Sequence, residues 1–190
     1  MTKKEKILLA AQEEFGEHGY TATTLKMVAD RAGVASGLVS HYYGNKDNLF
    51  LEAGGELIDQ MLGVLTDKAK EGKNGLEALG IFVQAYFDFT DSHRTTFPTL
   101  LRSSPFSDEY PHLDRTHIAA KFKRLIDQIE DYIRQGMEDD SVREVPLTQT
   151  SYLVYGHIVG AVRTEFLTPF QIDNLFKEAC RFITRSLAKD

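Results

Sequence analysis

At 190 residues, 42% hydrophobic and 26% charged, the chain is long enough for one ordinary domain or for a head of about 50 residues joined to a larger body, and no apolar run is long enough to span a membrane. Its single cysteine, Cys180, excludes an internal disulfide, and the apolar stretch after Met-Thr-Lys-Lys-Glu-Lys is too short for a secretion signal, so the expected location is cytoplasmic, with no membrane partner. The net charge of −6 excludes a basic protein that coats nucleic acid over its whole surface, yet it is unevenly held: residues 1–50 carry six basic side chains (Lys3, Lys4, Lys6, Lys26, Arg31, Lys46) and six acidic ones (Glu5, Glu13, Glu14, Glu17, Asp30, Asp47), so the surplus acid lies beyond them.

The first helix opens at Thr2-Lys-Lys-Glu5, a spacing in which each polar side chain can satisfy the other residue's backbone N–H. Ile7, Leu8, Ala11 and Phe15 then form one apolar stripe that closes a small core, and Gly19 ends the helix. Lys3, Lys4 and Lys6 at its start are more simply read as solvated charge than as phosphate ligands. A second helix begins at Thr23 or Thr24 and carries Leu25, Val28, Ala29 and Ala32 at helical spacing. It stops at Gly33, a residue able to take the left-handed backbone that leaves a helix. After the turn Gly33-Val34-Ala35, a third short helix buries Val39 and Tyr43 and leaves Ser36, Gly37, Leu38, Ser40, His41 and Tyr42 largely outward. Small Ala29, turning Gly33 and wedge-filling Val39 are what a tight crossing of two helices requires, so residues 22–46 read as a helix-turn-helix.

The combination of Phe15, Gly19-Tyr20, Thr23-Thr24, Ala32-Gly33-Val34, Gly37, Tyr42-Tyr43 and Lys46 makes residues 4–50 resemble the N-terminal domain of the TetR family of bacterial transcriptional regulators. Two positions depart from that family's pattern. Ala35 stands where a Ser or Thr is common, which would pass the capping of the third helix to Ser36. Ser40 stands where Tyr is common, so no operator sequence can be carried over. The resemblance implies an all-α fold: a DNA-binding head over residues 1–46 and a ligand-binding and dimerisation body over 47–190. By position, Ser36, Gly37, Leu38, Ser40 and His41 would face base edges, where hydroxyls donate or accept and Leu38 can touch a thymine methyl. The resemblance assigns phosphate contacts to Thr24, Tyr42 and Lys46. For Lys46 there is also a physical case, because its charge at a helix start adds to exposed N–H groups that favour anions. Two such heads on a homodimer would read a palindromic operator in double-stranded DNA.

A fourth helix runs from near Asn45 to about Lys70, with Leu49, Phe50, Ala53, Leu57, Met61 and Leu65 on one side. Gly54-Gly55 in its interior costs roughly 1 kcal/mol per residue against Ala. The pair is either a soft point that lets the head reorient or a seat for close packing. Gly72-Lys-Asn-Gly75 breaks the chain. Asn74 with Glu77 restarts a helix carrying Leu79, Phe82, Val83, Tyr86 and Phe89 or Thr90. A short helix holds Phe97 to Leu101, residues 103–111 form a loop around two prolines, and Ile118 to Ile133 mark a long helix that ends before Asp139.

Residues 147–167 are apolar nearly all round and so should be buried on more than one side. Thr168-Pro-Phe-Gln171 has the pattern of a cap that starts the last helix, whose apolar residues again spread over two faces. With Gly156-x-x-x-Gly160 offering a flat approach, these two helices from each subunit are expected to build a four-helix homodimer interface through Tyr152, Gly156, Gly160, Phe176 and Ile183. The resemblance further implies a pocket for a small-molecule effector among the body helices. The expected apolar lining is Tyr86, Phe89, Phe97, Phe122 and Tyr155, with His93, His117 or Arg163 as polar anchor. No enzyme motif, phosphate loop, cofactor site or zinc spacing is present. Glu109-Tyr-Pro-His112 has a di-iron spacing, but it contains proline and falls in a loop. The function this supports is a ligand-responsive DNA-binding regulator, a repressor released from its operator by a small hydrophobic or aromatic inducer. Its rival is a helical carrier or partner-binding protein with a non-functional head.

Overall fold

The computed structural model describes residues 1–107, 110–169 and 172–189. Among them the chain forms nine helices: α1 (Lys3–Ala22), α2 (Leu25–Ala32), α3 (Ser36–Tyr43), α4 (Lys46–Ala69), α5 (Gly75–Ser92), α6 (Phe97–Ser103), α7 (Thr116–Glu138), α8 (Leu147–Leu167) and α9 (Leu175–Leu187). Extended pairing among these residues is confined to one antiparallel bridge, Val142 with Ala188, so the fold is all-α. The backbone groups into two compact units, residues 1–60 with 93–122 and residues 61–92 with 123–190.

In the first unit the helix starts follow capping chemistry. Thr2 and Glu5 form the reciprocal box of α1, and Thr24 Oγ1 accepts the Met27 N–H at 3.2 Å to start α2. Gly19, at φ 75, breaks the regular geometry of α1 as its position predicts, although the chain resumes helix for one more short stretch to Ala22. Thr23 is fully buried, and its hydroxyl donates to the carbonyls of Glu14 (3.0 Å) and Gly19 (2.8 Å), tying the α1 exit to the α2 entrance. Gly33 takes the left-handed conformation at φ 64 and turns the chain into α3. Ser36 does not cap α3 as expected: Ala35 occupies the cap position with no side-chain bond, and Ser36 lies inside the helix with its side chain exposed. Val39 and Tyr43 are buried, joining Ile7, Phe15, Val28, Leu49 and Phe50 in one core.

Helix α6 packs on α1 at close range. Thr99 donates to the Gln12 carbonyl at 2.8 Å, and Arg102 Nη1 reaches the carbonyls of Phe15 and Gly16 at 2.9 and 3.1 Å. Of the adjacent glycine pair in α4, Gly54 is a packing seat: a Cβ there would fall 1.9 Å from Ser103 Oγ and 3.3 Å from Ile118 Cδ1.

The second unit is built from α5, α8, α9 and the ends of α4 and α7. The start of α5 is held by the turn after α7, where Asp139 accepts the Gly75 N–H at 2.7 Å and Ser141 the Leu76 N–H at 3.1 Å. Asn74 caps the same helix through the Glu77 N–H. Phe82 packs on Tyr132, and Phe87 stacks on Phe176 with ring centroids 4.5 Å apart. The last helix starts later than the Thr168 pattern predicts. Thr168 instead ends α8, its N–H bonding Thr164, and α9 begins after Asn174. The proposed partner of that box, Gln171, lies outside the described residues.

Candidate nucleic-acid interface

The surface of α3 divides along its axis. Val39 and Tyr43, four residues apart, point inward at 0% and 7% exposure, whereas Ser36, Gly37, Ser40, His41 and Tyr42 are exposed and Leu38 is half-buried. A Cβ on Gly37 would meet nothing within 4 Å, so this position leaves room for an approaching surface. His41 packs edge-on to Tyr42, with ring centroids 5.4 Å apart. The Tyr43 hydroxyl donates to the Lys4 carbonyl at 3.2 Å, and Lys4 Nζ lies 5.9 Å from the Tyr43 ring centroid. The amino end of α1 is thus fastened to the end of α3, which brings Lys4, read from sequence as simply solvated, beside the reading helix. Thr24, the expected phosphate contact on α2, is exposed while its hydroxyl caps the helix.

Lys46, the expected phosphate contact, makes its bonds within the chain. Its Nζ donates to the carbonyls of Tyr20 (3.0 Å), Thr23 (3.2 Å) and Thr21 (3.5 Å) and sits 4.3 Å from the Tyr20 ring centroid. An ammonium has three donors, and the α1 exit supplies three acceptors because a helix end leaves its last carbonyls unpaired. Here the charge closes α1. Tyr20 also donates to Asp47, the next residue of α4. Burial first, and then the Asp47 carboxylate, push the Tyr20 hydroxyl up to about 12.

Charge behind this surface is largely consumed internally. The Arg31 guanidinium meets Glu14 at 2.6 Å, Glu17 at 2.7 Å and Glu13 at 3.3 Å, which holds the Glu17 carboxyl below its ordinary range. Lys26 pairs with Asp30 one turn on. The exposed lysines Lys3, Lys4 and Lys6 at the start of α1 therefore matter more to the field near α3 than the formal count over residues 1–50 suggests.

The expected effector residues fall in both units. Tyr86, Phe89 and Tyr155 are buried in the second unit, where burial and the nearby Tyr155 drive the Tyr86 hydroxyl well above its usual range. Phe97 and Phe122 are buried in the first unit. His93 lines a cleft of about 270 Å³ with Leu8, Leu9, Gln12 and Gln60. Arg163 is a correction: it is exposed, and its spacing of seven from Gly156 and three from Gly160 puts it on the outer face of α8 instead of in a pocket. That face also exposes Leu153 (73%), Leu167 (64%), Gly156 and Gly160, and Tyr152 adjoins it. On α9 the exposed aromatic is Phe182, stacked on His157 at 4.8 Å. Ile183, expected at an interface, is enclosed by its own chain at 2% exposure, and Phe176 is half-buried against Phe87. Ile183 is thereby corrected to intrachain packing, because the amphipathic α9 turns its Ala179, Ile183 and Leu187 stripe inward. Among the described residues no three His, Cys, Asp or Glu side chains stand together as a metal site, and no helix is long and apolar enough to cross a membrane. Glu109 of the Glu-x-x-His spacing lies outside the described residues.

Two short helices crossing at a left-handed glycine, with a polar outer face on the second, define a helix-turn-helix protein, here joined to further helices. Residues 7–53 match the model of bacterial regulatory proteins of the tetR family, and the sequence relatives and solved structures indicate the same family. Over 114 residues it is 25% identical to the HTH-type transcriptional regulator BetI 1 of Chromohalobacter salexigens, a match spanning 60% of this chain and 56% of that protein's length. It is 23% identical over 164 residues to the fatty acid metabolism regulator protein of Bacillus subtilis, covering 85% of this chain and 82% of the relative. Its fold matches the crystal structure of the transcriptional regulator FadR from Bacillus subtilis in complex with stearoyl-CoA, with a TM-score of 0.83 and 18% identity over 95% of this chain and 97% of the other.

Proposed function

We propose that the chain is a cytoplasmic, homodimeric transcriptional repressor that binds a palindromic operator through α3 and is released from it by a small hydrophobic or aromatic effector. The observation that carries this reading is the division of α3: Val39 and Tyr43 anchor the helix while Ser36, Gly37, Ser40, His41 and Tyr42 are exposed. A helix so mounted can enter a major groove with its first turn on base edges. Ser36, Ser40 and His41 supply donors and acceptors, Gly37 permits close approach, and Leu38 offers an apolar contact. Thr24 and Tyr42 are the proposed phosphate contacts, joined by the exposed Lys4. The head spans residues 1–46, and the body, residues 47–190, supplies effector binding and pairing.

The outer face of α8 supports the pairing. A stripe of Leu153, Gly156, Gly160 and Leu167 is exposed there and would serve as the contact surface, and glycines let a second helix approach closely. A palindrome then follows from twofold symmetry, with half-sites one helical turn, about 34 Å, apart. The effector acts by binding more tightly to a body shape whose heads no longer match two grooves. The relative named for fatty acid metabolism makes acyl compounds the first class to test.

Selection of duplexes from a random library by the purified protein tests the reading. The expected product is an inverted repeat bound by two chains, with affinity that falls steeply as salt rises, and acyl compounds then serve as the first candidates for release. Recovery of no sequence, with binding of a hydrophobic compound retained, would favour the carrier alternative.

A further inference from the structure

The core behind α3 is not closed by α1–α4 alone. Leu113, more than sixty positions downstream of the reading helix, is 6% exposed within the same cluster as Ile7, Phe15, Val28, Val39 and Phe50, and Tyr110 packs against that cluster. The Tyr110 ring lies 4.7 Å from Tyr20 and meets Phe50 edge-on at 6.3 Å. His112 adds a ring contact at 5.8 Å and brings Nε2 to 3.5 Å from the Tyr20 hydroxyl. Tyr110 holds this pose at φ 57, a left-handed backbone that a non-glycine residue adopts only at a cost. Two hydrogen bonds to its carbonyl accompany the pose, from Arg115 Nη1 at 3.2 Å and the Leu113 N–H at 3.1 Å.

What this segment grips is the residue that joins α1 to α4. Tyr20 bonds Asp47 and lies beneath the Lys46 ammonium, which itself binds the α1 exit. Lys46 and Asp47 are the first two residues of α4, and only Gly44 and Asn45 separate them from α3. The Gly44 N–H bonds Ser40 at 2.8 Å, and the Asn45 N–H bonds Tyr43 at 2.9 Å, so little slack remains in that connection. A displacement at Tyr20 is therefore passed through the α4 start to the end of the reading helix.

We propose that residues 110–113 are a positioning element for the DNA-reading helix, holding α3 in register through Tyr20 and the first turn of α4. The proposal rests on the DNA-binding reading for its function, although the mechanical link stands on the packing. The segment touches no base or phosphate. Its effect is on the fraction of molecules whose α3 is correctly set, which scales affinity without changing how many phosphates are contacted.

The test compares the full-length chain with Tyr110→Ala, Tyr110→Phe and His112→Ala. The first removes the ring, the second restores it, and the third alters an exposed side chain whose loss leaves the apolar core intact. Two readouts are used: amide hydrogen exchange across residues 36–49, and affinity and salt slope for a duplex selected by the unmodified protein. The expected result for Tyr110→Ala is at least roughly tenfold faster exchange across 36–49 and a measurable loss of affinity at unchanged salt slope, with exchange in α8 and α9 unaltered. His112→Ala should move both readouts in the same direction, with exchange faster by about threefold, and Tyr110→Phe should restore them. Unchanged exchange across 36–49 in Tyr110→Ala and His112→Ala overturns the proposal, as does unchanged affinity at altered exchange or a loss spread equally over α8 and α9. If the unmodified chain selects no duplex, the DNA-binding reading fails by itself, and the exchange readout alone decides whether the segment sets α3.

Discussion

Replacing each glycine of the α4 pair by alanine should give opposite signs. In both cases the substitution removes a helix-interior glycine, which is favourable by roughly 1 kcal/mol. At Gly54 the new methyl would stand 1.9 Å from Ser103 Oγ, 2.7 Å from Ser103 Cβ and 3.3 Å from Ile118 Cδ1. Ser103 is fully buried and its hydroxyl bonds the Leu100 carbonyl, so it cannot rotate out of the way and the end of α6 must move. Overpacking of this kind costs about 1–3 kcal/mol, leaving Gly54→Ala destabilised by about 1–2 kcal/mol, the upper part of the range suiting so close a contact. At Gly55 the methyl would meet only the end of the Lys121 chain, with Nζ at 3.2 Å, and that flexible end can shift while keeping Asp59. Gly55→Ala should therefore gain about 0.5–1 kcal/mol. For a chain of this size each kcal/mol moves Tm by roughly 2–4 °C. Thermal unfolding followed by circular dichroism should show Gly54→Ala melting lower and Gly55→Ala higher than the unmodified protein. Ser103→Gly in the Gly54→Ala background should recover part of the loss. Equal stabilisation by the two substitutions would refute the packing argument and return the pair to the status of a soft point.

Lys46→Met keeps the aliphatic stem but removes a charge that binds three carbonyls; it should cost about 1–2 kcal/mol in thermal stability while leaving the salt slope of duplex binding unchanged. A slope reduced by about one, with stability intact, would instead make Lys46 a phosphate ligand. Tyr20 and Tyr43 both have hydroxyls raised from 10 to about 12, chiefly by burial. Because the neutral form is favoured in the folded chain, their contribution is fully present below pH 10 and is lost as pH rises towards about 12. Melting temperature against pH should fall across that window, and Tyr20→Phe should flatten part of the fall; an identical alkaline limb in the variant would contradict the assignment. Leu153→Glu places a charge at the centre of the exposed α8 stripe and should weaken self-association roughly tenfold or more in sedimentation equilibrium. If the unmodified chain sediments as a monomer at every concentration, α8 is not a pairing face.

What the amino-acid pattern disclosed and what it concealed separate by distance along the chain. The start and end of each head helix depend on residues three or four apart: Thr2 with Glu5, Thr24 with Met27, Gly33 at its turn. Such neighbours are visible in the sequence because the chemistry is local, and the same is true of the inward pair Val39 and Tyr43. Gly54 could be flagged as unusual, but the reason for it, Ser103, is 49 positions away and carries no mark of the contact. The 110–113 segment was hidden more deeply. Two prolines and small polar residues give residues 103–111 the composition of a surface loop, whereas Leu113 and Tyr110 complete a core whose other members lie before residue 54. Lys46 shows the same limit in a different form, since its position at a helix start argues for an anion and only the α1 exit, brought beside it by the fold, explains why carbonyls take that place. Arg163 and Ile183 were misplaced because a helix apolar on two sides does not say which side its own chain covers; the Ala179, Ile183 and Leu187 stripe and the Gly156, Gly160 and Arg163 stripe become distinguishable only when the neighbouring helices occupy one of them. The head was therefore legible as a motif but not as a closed body: its reading surface is local in sequence, and the packing that holds that surface still is not.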